Sequence, residues 1–141
     1  MVMGDSRYGD HLFRECVVIG RGGKPIVSTR QLDSYGGGNF SFDCIFITGP
    51  RLMIPHPHRH KFDQYLCFAS SNPEDTQDFD AEIEISLGEE QEKHIINSPT
   101  IAHVPPGLDH GPLDFVRVSK PVLFIDVAII GKYERVEEEK D

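Results

Sequence analysis

The segment His56-Pro57-His58-Arg59-His60-Lys61-Phe62-Asp63-Gln64 brings three imidazoles, a carboxylate and an amide into one short stretch. In an extended chain successive residues point to opposite faces, so His58 and His60 share a side. Two imidazoles placed this way can reach one metal ion at about 2.0–2.1 Å without distorting the backbone. After a turn at Lys61-Phe62-Asp63, Gln64 opens a further strand with Leu66 and Phe68 on its own face. Those two are expected in the core, so Gln64 is expected to point inward as well. Much later, Pro105-Pro106-Gly107 makes a rigid turn, and His110 enters a new strand at a fixed angle. Imidazole with oxygen suits one divalent ion drawn from Fe, Mn, Ni, Zn, Co or Cu, and residue types alone do not choose among them.

Strands must position these groups. Phe40–Ile47 is rich in aromatic and β-branched residues and ends at the turn Gly49-Pro50. From Asp80 to Leu87 the chain alternates, Ile83, Ile85 and Leu87 on one face against Glu82, Glu84 and Ser86 on the other. Gly88-Glu89-Glu90 turns it into Glu92–Ile96, predicting a hairpin. Thr100–Val104 and Pro121–Ile130 read as further strands, the second apolar enough to be buried on both faces. Phe13–Ile19 is strand-like, Arg21-Gly22-Gly23-Lys24 a hairpin turn, and Asn72-Pro73-Glu74-Asp75 a surface loop. Gly36-Gly37-Gly38 reads as a turn leading into a strand. Short strands with no convincing amphipathic helix predict an all-β sandwich or barrel.

Taken in order, HxHxxxQ from His58 to Gln64 and PxGxxH from Pro105 to His110 resemble the two signature motifs of the cupin family. The resemblance runs from about Ile54 to Asp114. It implies a double-stranded β-helix (jelly-roll) barrel whose interior holds a metal through three histidines and one acidic or amide residue. Carried over by position, those ligands are His58, His60, Gln64 and His110. The chain departs from the pattern in places. Ser71 and Pro99 stand where outer glycines are usual, and Asp114 stands where Asn is commoner. Gln64 replaces the usual Glu, which fills this position in the similar small microbial cupins that carry HDFDEYL. Three neutral imidazoles and a neutral carbonyl leave a divalent ion its full charge, favouring an anionic ligand and strong Lewis acidity.

Other readings of the same residues compete. Asp63 becomes the oxygen ligand if its strand begins one residue earlier. His56 shares the parity of His58, and His56-x-His58 with Asp63 fits a looser family spacing. His56 and Asp63 are also the nearest candidates for proton transfer. His94 and His103 read as exposed or locally hydrogen-bonded strand histidines, and Tyr65 and Cys67 as facing away from the metal. Cys44 lines the interior only if the Phe40-Phe42-Phe46 face turns inward; a small buried hydrophobe is the plainer expectation.

A chain of 141 residues with 38% apolar composition is sized for a single domain over 1–141, with about 1–10 and 134–141 as flexible tails. Its net charge of −9 argues against nucleic acid and anionic membrane surfaces. No apolar run approaches the roughly 20 residues that span a bilayer, and the polar start Met1-Val2-Met3-Gly4-Asp5 does not read as a secretory signal. Cys16, Cys44 and Cys67 are widely spaced and form no CxxC pair, which predicts reduced thiols in a cytoplasmic protein. The expected function is a metal-dependent enzyme acting on a small anionic molecule by dioxygenase-, lyase- or isomerase-type chemistry. The alternatives are a metal and small-ligand sensing module and a metal-free structural barrel. The resemblance further implies a homodimer, for which Phe13–Ile19 would suit an exchanged strand.

Overall fold

The computed structural model describes residues 7–30, 32 and 40–130, and the backbone of 139–140. The described residues form twelve strands: β1 (Val17–Ile19), β2 (Pro25–Ser28), β3 (Phe40–Ile47), β4 (Arg51–Ile54), β5 (His58–Arg59), β6 (Asp63–Ser70), β7 (Ala81–Leu87), β8 (Glu92–Ile96), β9 (Thr100–Val104), β10 (His110–Val118), β11 (Val122–Ile129) and β12 (Glu139–Lys140). The only helical element among the described residues is a 3-10 turn at Gly9–His11. One antiparallel sheet runs β1-β2-β3-β11-β6-β9. The other runs β12-β5-β10-β7-β8, with β4 also pairing β10.

The core lies between the sheets. Leu66, Phe68, Val104, Val122 and Phe124 come from the first; Ile83, Ile85, Leu113 and Phe115 come from the second. The rings of Phe68, Phe115 and Phe124 form its centre, with centroids 5.2–6.0 Å apart. These separations suit tilted and edge-on aromatic packing.

Several sequence expectations change on contact with this frame. The strand around 121–130 is not buried on both faces: Val122, Phe124 and Ala128 are buried, whereas Leu123, Ile125 and Val127 are half-buried on the outer side. An apolar sequence here lines the outer side of a sheet as well as the core. The alternation of β7 holds through Ile85, but Ser86 is also buried and Leu87 only half-buried. Leu87 ends its strand directly opposite His110, where the pairing with β10 shifts register. Of the stretch 13–19, only Val17–Ile19 is strand. Phe46 is 57% exposed while Ile47 is 2% exposed, so the Phe40-Phe42-Phe46 face and Cys44 look outward. The turn expected at 36–38 and most of both expected tails lie outside the described residues.

Candidate metal centre

His58 lies on β5, His60 just beyond it, and His110 is the first residue of β10. His58 and His110 pair directly across these strands, and directly opposed residues share a face. Their ring centroids are 4.3 Å apart, and those of His60 lie 4.8 Å from His58 and 4.9 Å from His110. One ring nitrogen from each histidine falls within 4.8 Å of the others. The two chain segments are joined at three levels. The Gly107 amide donates to the His60 carbonyl at 2.9 Å. Arg59 Nε meets Asp109 Oδ1 at 2.9 Å. The β5–β10 pairing adds the third link. Gly107 takes φ +83°, the left-handed conformation that closes the Pro-Pro-Gly turn ahead of His110.

Electrostatics prepare the cluster to ligate. His110 is 1% exposed, and its pKa is lowered to about 4. Burial is the main cause, the neighbouring His58 and His60 add to it, and a weak contact with the Leu108 backbone opposes it. The ring is therefore neutral at pH 7, as a metal ligand must be. Neither of its nitrogens makes a well-formed hydrogen bond. His58 Nδ1 donates to the His56 carbonyl over a long 3.4 Å, leaving Nε2 with its lone pair. The ring of Phe62 stacks on that of His60 at 4.6 Å.

Gln64 is 8% exposed and lines the same cavity from β6. Its Nε2 donates to Asp126 Oδ1 at 2.8 Å, and its Oε1 is buried without a partner. The amide thus presents a bare carbonyl oxygen. Buried polar atoms nearly always have partners; here the exceptions are the Gln64 carbonyl oxygen and, but for the weak Leu108 contact, the His110 nitrogens, the donor types that bind borderline divalent ions. The residues fit a metal ion.

The other candidates fall elsewhere. Asp63 is turned to the outer face, where its Oδ1 meets His103 Nε2 at 2.7 Å. It does not line the cavity. β6 does begin at Asp63, but the buried face falls to Gln64, and Asp63 stands outside the three-histidine cluster. His56 is exposed and lines the cavity but stands outside the three-histidine cluster. His94, exposed on the edge strand β8, meets the Glu92 carboxylate at 2.6 Å, and Tyr65 stacks on His103 on the outer side of the first sheet, each with a local partner as expected. Sequence reasoning missed Asp126. Its signal was present: a carboxylate at an inward position of β11, between the buried Phe124 and Ala128.

The cavity holds about 1030 Å³. Ile26, Ile45, Met53, Ile54, Leu66 and Phe124 supply apolar wall, and the polar lining includes His58, His60, Gln64 and Asp126 as well as the cations Arg21, Lys24, Arg30 and Arg51.

No protein-family model and no curated protein matches the sequence. Solved structures do resemble the fold. Vicilin from hazelnut (Corylus avellana) is 11% identical with a TM-score of 0.51, over 82% of this chain and 31% of that one. A single-residue variant of oxalate decarboxylase from Bacillus subtilis is 15% identical with a TM-score of 0.48, over 83% and 27%. A cupin protein from Bacteroides fragilis is 12% identical with a TM-score of 0.47, over 78% and 80%. This chain therefore spans about a third or less of the vicilin and oxalate decarboxylase chains. At such identities the likeness is one of fold, and it rests on the vicilin comparison. The two antiparallel sheets and the meeting of both motifs at one interior point agree with it, and the chain has the all-β jelly-roll fold that the cupin resemblance implies.

Proposed function

We propose that this protein binds one divalent metal ion through His58, His60, His110 and the carbonyl oxygen of Gln64, and acts on a small anionic organic molecule held in the cavity. The observation that carries the reading is the convergence of three imidazoles within 4.8 Å, one of them buried, neutral and without a well-formed hydrogen bond. A bound ion would supply Lewis acidity or, if redox-active, O2 activation, in the manner of dioxygenase, lyase or isomerase chemistry. The chain's own groups have separable tasks. Asp126 orients the Gln64 amide by accepting its N–H. Phe62 and the apolar wall keep water from the histidines. His56 is our candidate to move a proton, a reading supported by its exposed position in the cavity lining. We further propose that the chain acts as a single domain in the cytoplasm, with its three thiols free, and as a homodimer. Support for the dimer is the apolar outer face of the first sheet, where Val27, Phe46 and Ile101 are exposed.

A non-catalytic sensing role is the second reading. It is favoured by the diversion of Asp63 to His103, which takes a titratable group away from the cavity. An enzyme consumes O2 or substrate in a metal-dependent way; a sensor gains only thermal stability from its ligand. The test of the metal itself comes first: elemental analysis of untagged protein beside His58→Ala and His110→Ala. Near-stoichiometric metal that is lost in both variants is expected. A native protein that stays metal-free after reconstitution would sink the reading.

A further inference from the structure

The cavity inverts the charge balance of the chain. Overall, 23 acidic residues outnumber 14 basic ones. Around the cavity, Arg21, Lys24, Arg30 and Arg51 outnumber Asp43 and Asp126. Two of these cations already have partners: Arg30 pairs with Asp43 at 3.1 Å, and Lys24 donates to Thr48 at 3.1 Å. Among the described residues, Arg21 and Arg51 have no carboxylate partner. A protein of net charge −9 has solvated carboxylates to spare, so guanidinium groups left unneutralised beside a cavity point to an anion from outside.

Arg51 is the better placed of the two. It lies directly opposite Phe115 in the β4–β10 pairing. Phe115 is 0% exposed, so the shared face is the inner one, and Arg51 emerges inward at the far end of the wall that carries the histidines. The turn between β1 and β2 makes room for it. A side chain at Gly22 would meet Arg51 Nη1 at 3.3 Å, so the glycine lets the guanidinium lie against that turn. Along β10, His110 opposes His58, Leu113 opposes Ile54, and Phe115 opposes Arg51. Five residues of β10 separate the two ends, at most roughly 16 Å of extended chain, and the register shifts on either side of Leu113 shorten it. Side chains reaching inward from each end shorten this to the length of a small organic molecule. Met53 and Ile54 provide apolar wall between them.

We infer that Arg51, assisted by Arg21, forms a second anion subsite, and that the ligand is a two-headed acid: an oxygen donor at the histidine cluster, an apolar middle, and a carboxylate at Arg51. The inference rests on the proposed metal function for the inner end alone. A planar guanidinium suits this task because it can hold a carboxylate by two parallel hydrogen bonds.

The experiment is calorimetric titration of the protein, its metal content measured beforehand, with α,ω-dicarboxylates from malonate to suberate and with monocarboxylates of equal length. One dicarboxylate should bind about tenfold or more tighter than its monocarboxylate, the scale of a charge-assisted pair. Arg51→Gln should abolish that preference with metal content unchanged, and Arg51→Lys should keep part of it. Circular dichroism confirms that each variant is folded. Equal binding of both series at every length, or a preference that survives Arg51→Gln, overturns the subsite. If no metal loads, the proposed metal function fails by itself. A dicarboxylate preference lost in Arg51→Gln would then still support the Arg51 subsite, and its absence would still overturn it.

Discussion

Replacing Asp126 by leucine is expected to leave the Gln64 amide nitrogen buried without its acceptor. That loss costs about 1–3 kcal/mol in stability and frees the amide to turn its nitrogen inward. Metal affinity should fall by about tenfold or more, the scale of losing a group that orients a ligand, read by metal titration beside urea unfolding. Unchanged affinity would mean that Gln64 is a wall residue and no ligand. The pH response of the metal-free protein is equally specific. His110 has its pKa lowered to about 4, against about 6.5 in an unfolded chain. The unfolded state therefore binds more protons between these values. The stabilisation is complete above about pH 6.5 and is lost as pH falls toward about 4. Chemical unfolding of metal-free protein across this range should show a decline that His110→Asn flattens. The histidines were legible in the sequence because strand alternation and a Pro-Pro-Gly turn are local rules. Asp126 was not: its contact with Gln64 depends on register between β6 and β11, distant in sequence.

At the scale of elements, the join between β10 and the β4–β5 segment is the tightest point of the site. Gly111 has φ +107°, and a Cβ there would meet the His56 carbonyl oxygen at 2.9 Å and Ile54 Cγ2 at 3.0 Å. Gly111→Ala should therefore destabilise by roughly 1–3 kcal/mol, combining backbone strain with a backbone clash. The thermal midpoint should fall, and metal should bind more weakly because His110 is the adjacent residue. A variant as stable as the native chain would show that the segment can shift aside. Strand existence was readable almost throughout; β3 and β9 have the expected bounds. Strand facing was less readable. The apolar 121–130 stretch looked buried on both sides because composition cannot distinguish a core face from an apolar outer face. The same ambiguity hid the orientation of Cys44. With Cys67, it now sits half-buried on the outer side, and burial raises the pKa of both thiols, so they remain protonated near neutral pH.

For the whole molecule, the two sheets contribute unequally to the centre. The three histidines belong to β5, the residue that follows it, and β10 of the second sheet, whereas Gln64 stands on β6 of the first. An ion held by all four would therefore act as a rivet through the sandwich, fastening its two leaves at one end while the three phenylalanine rings fasten the middle. Adding metal should slow hydrogen exchange in β6 and β11 as well as in β5 and β10, although three of the four donors lie on one side. Protection confined to the histidine side would place Gln64 outside the coordination. A rivet also opposes splaying of the sheets more than sliding within either one. In the metal-free protein the end of the barrel nearest the histidines should be the first to part, so an empty centre and an open one would be the same event.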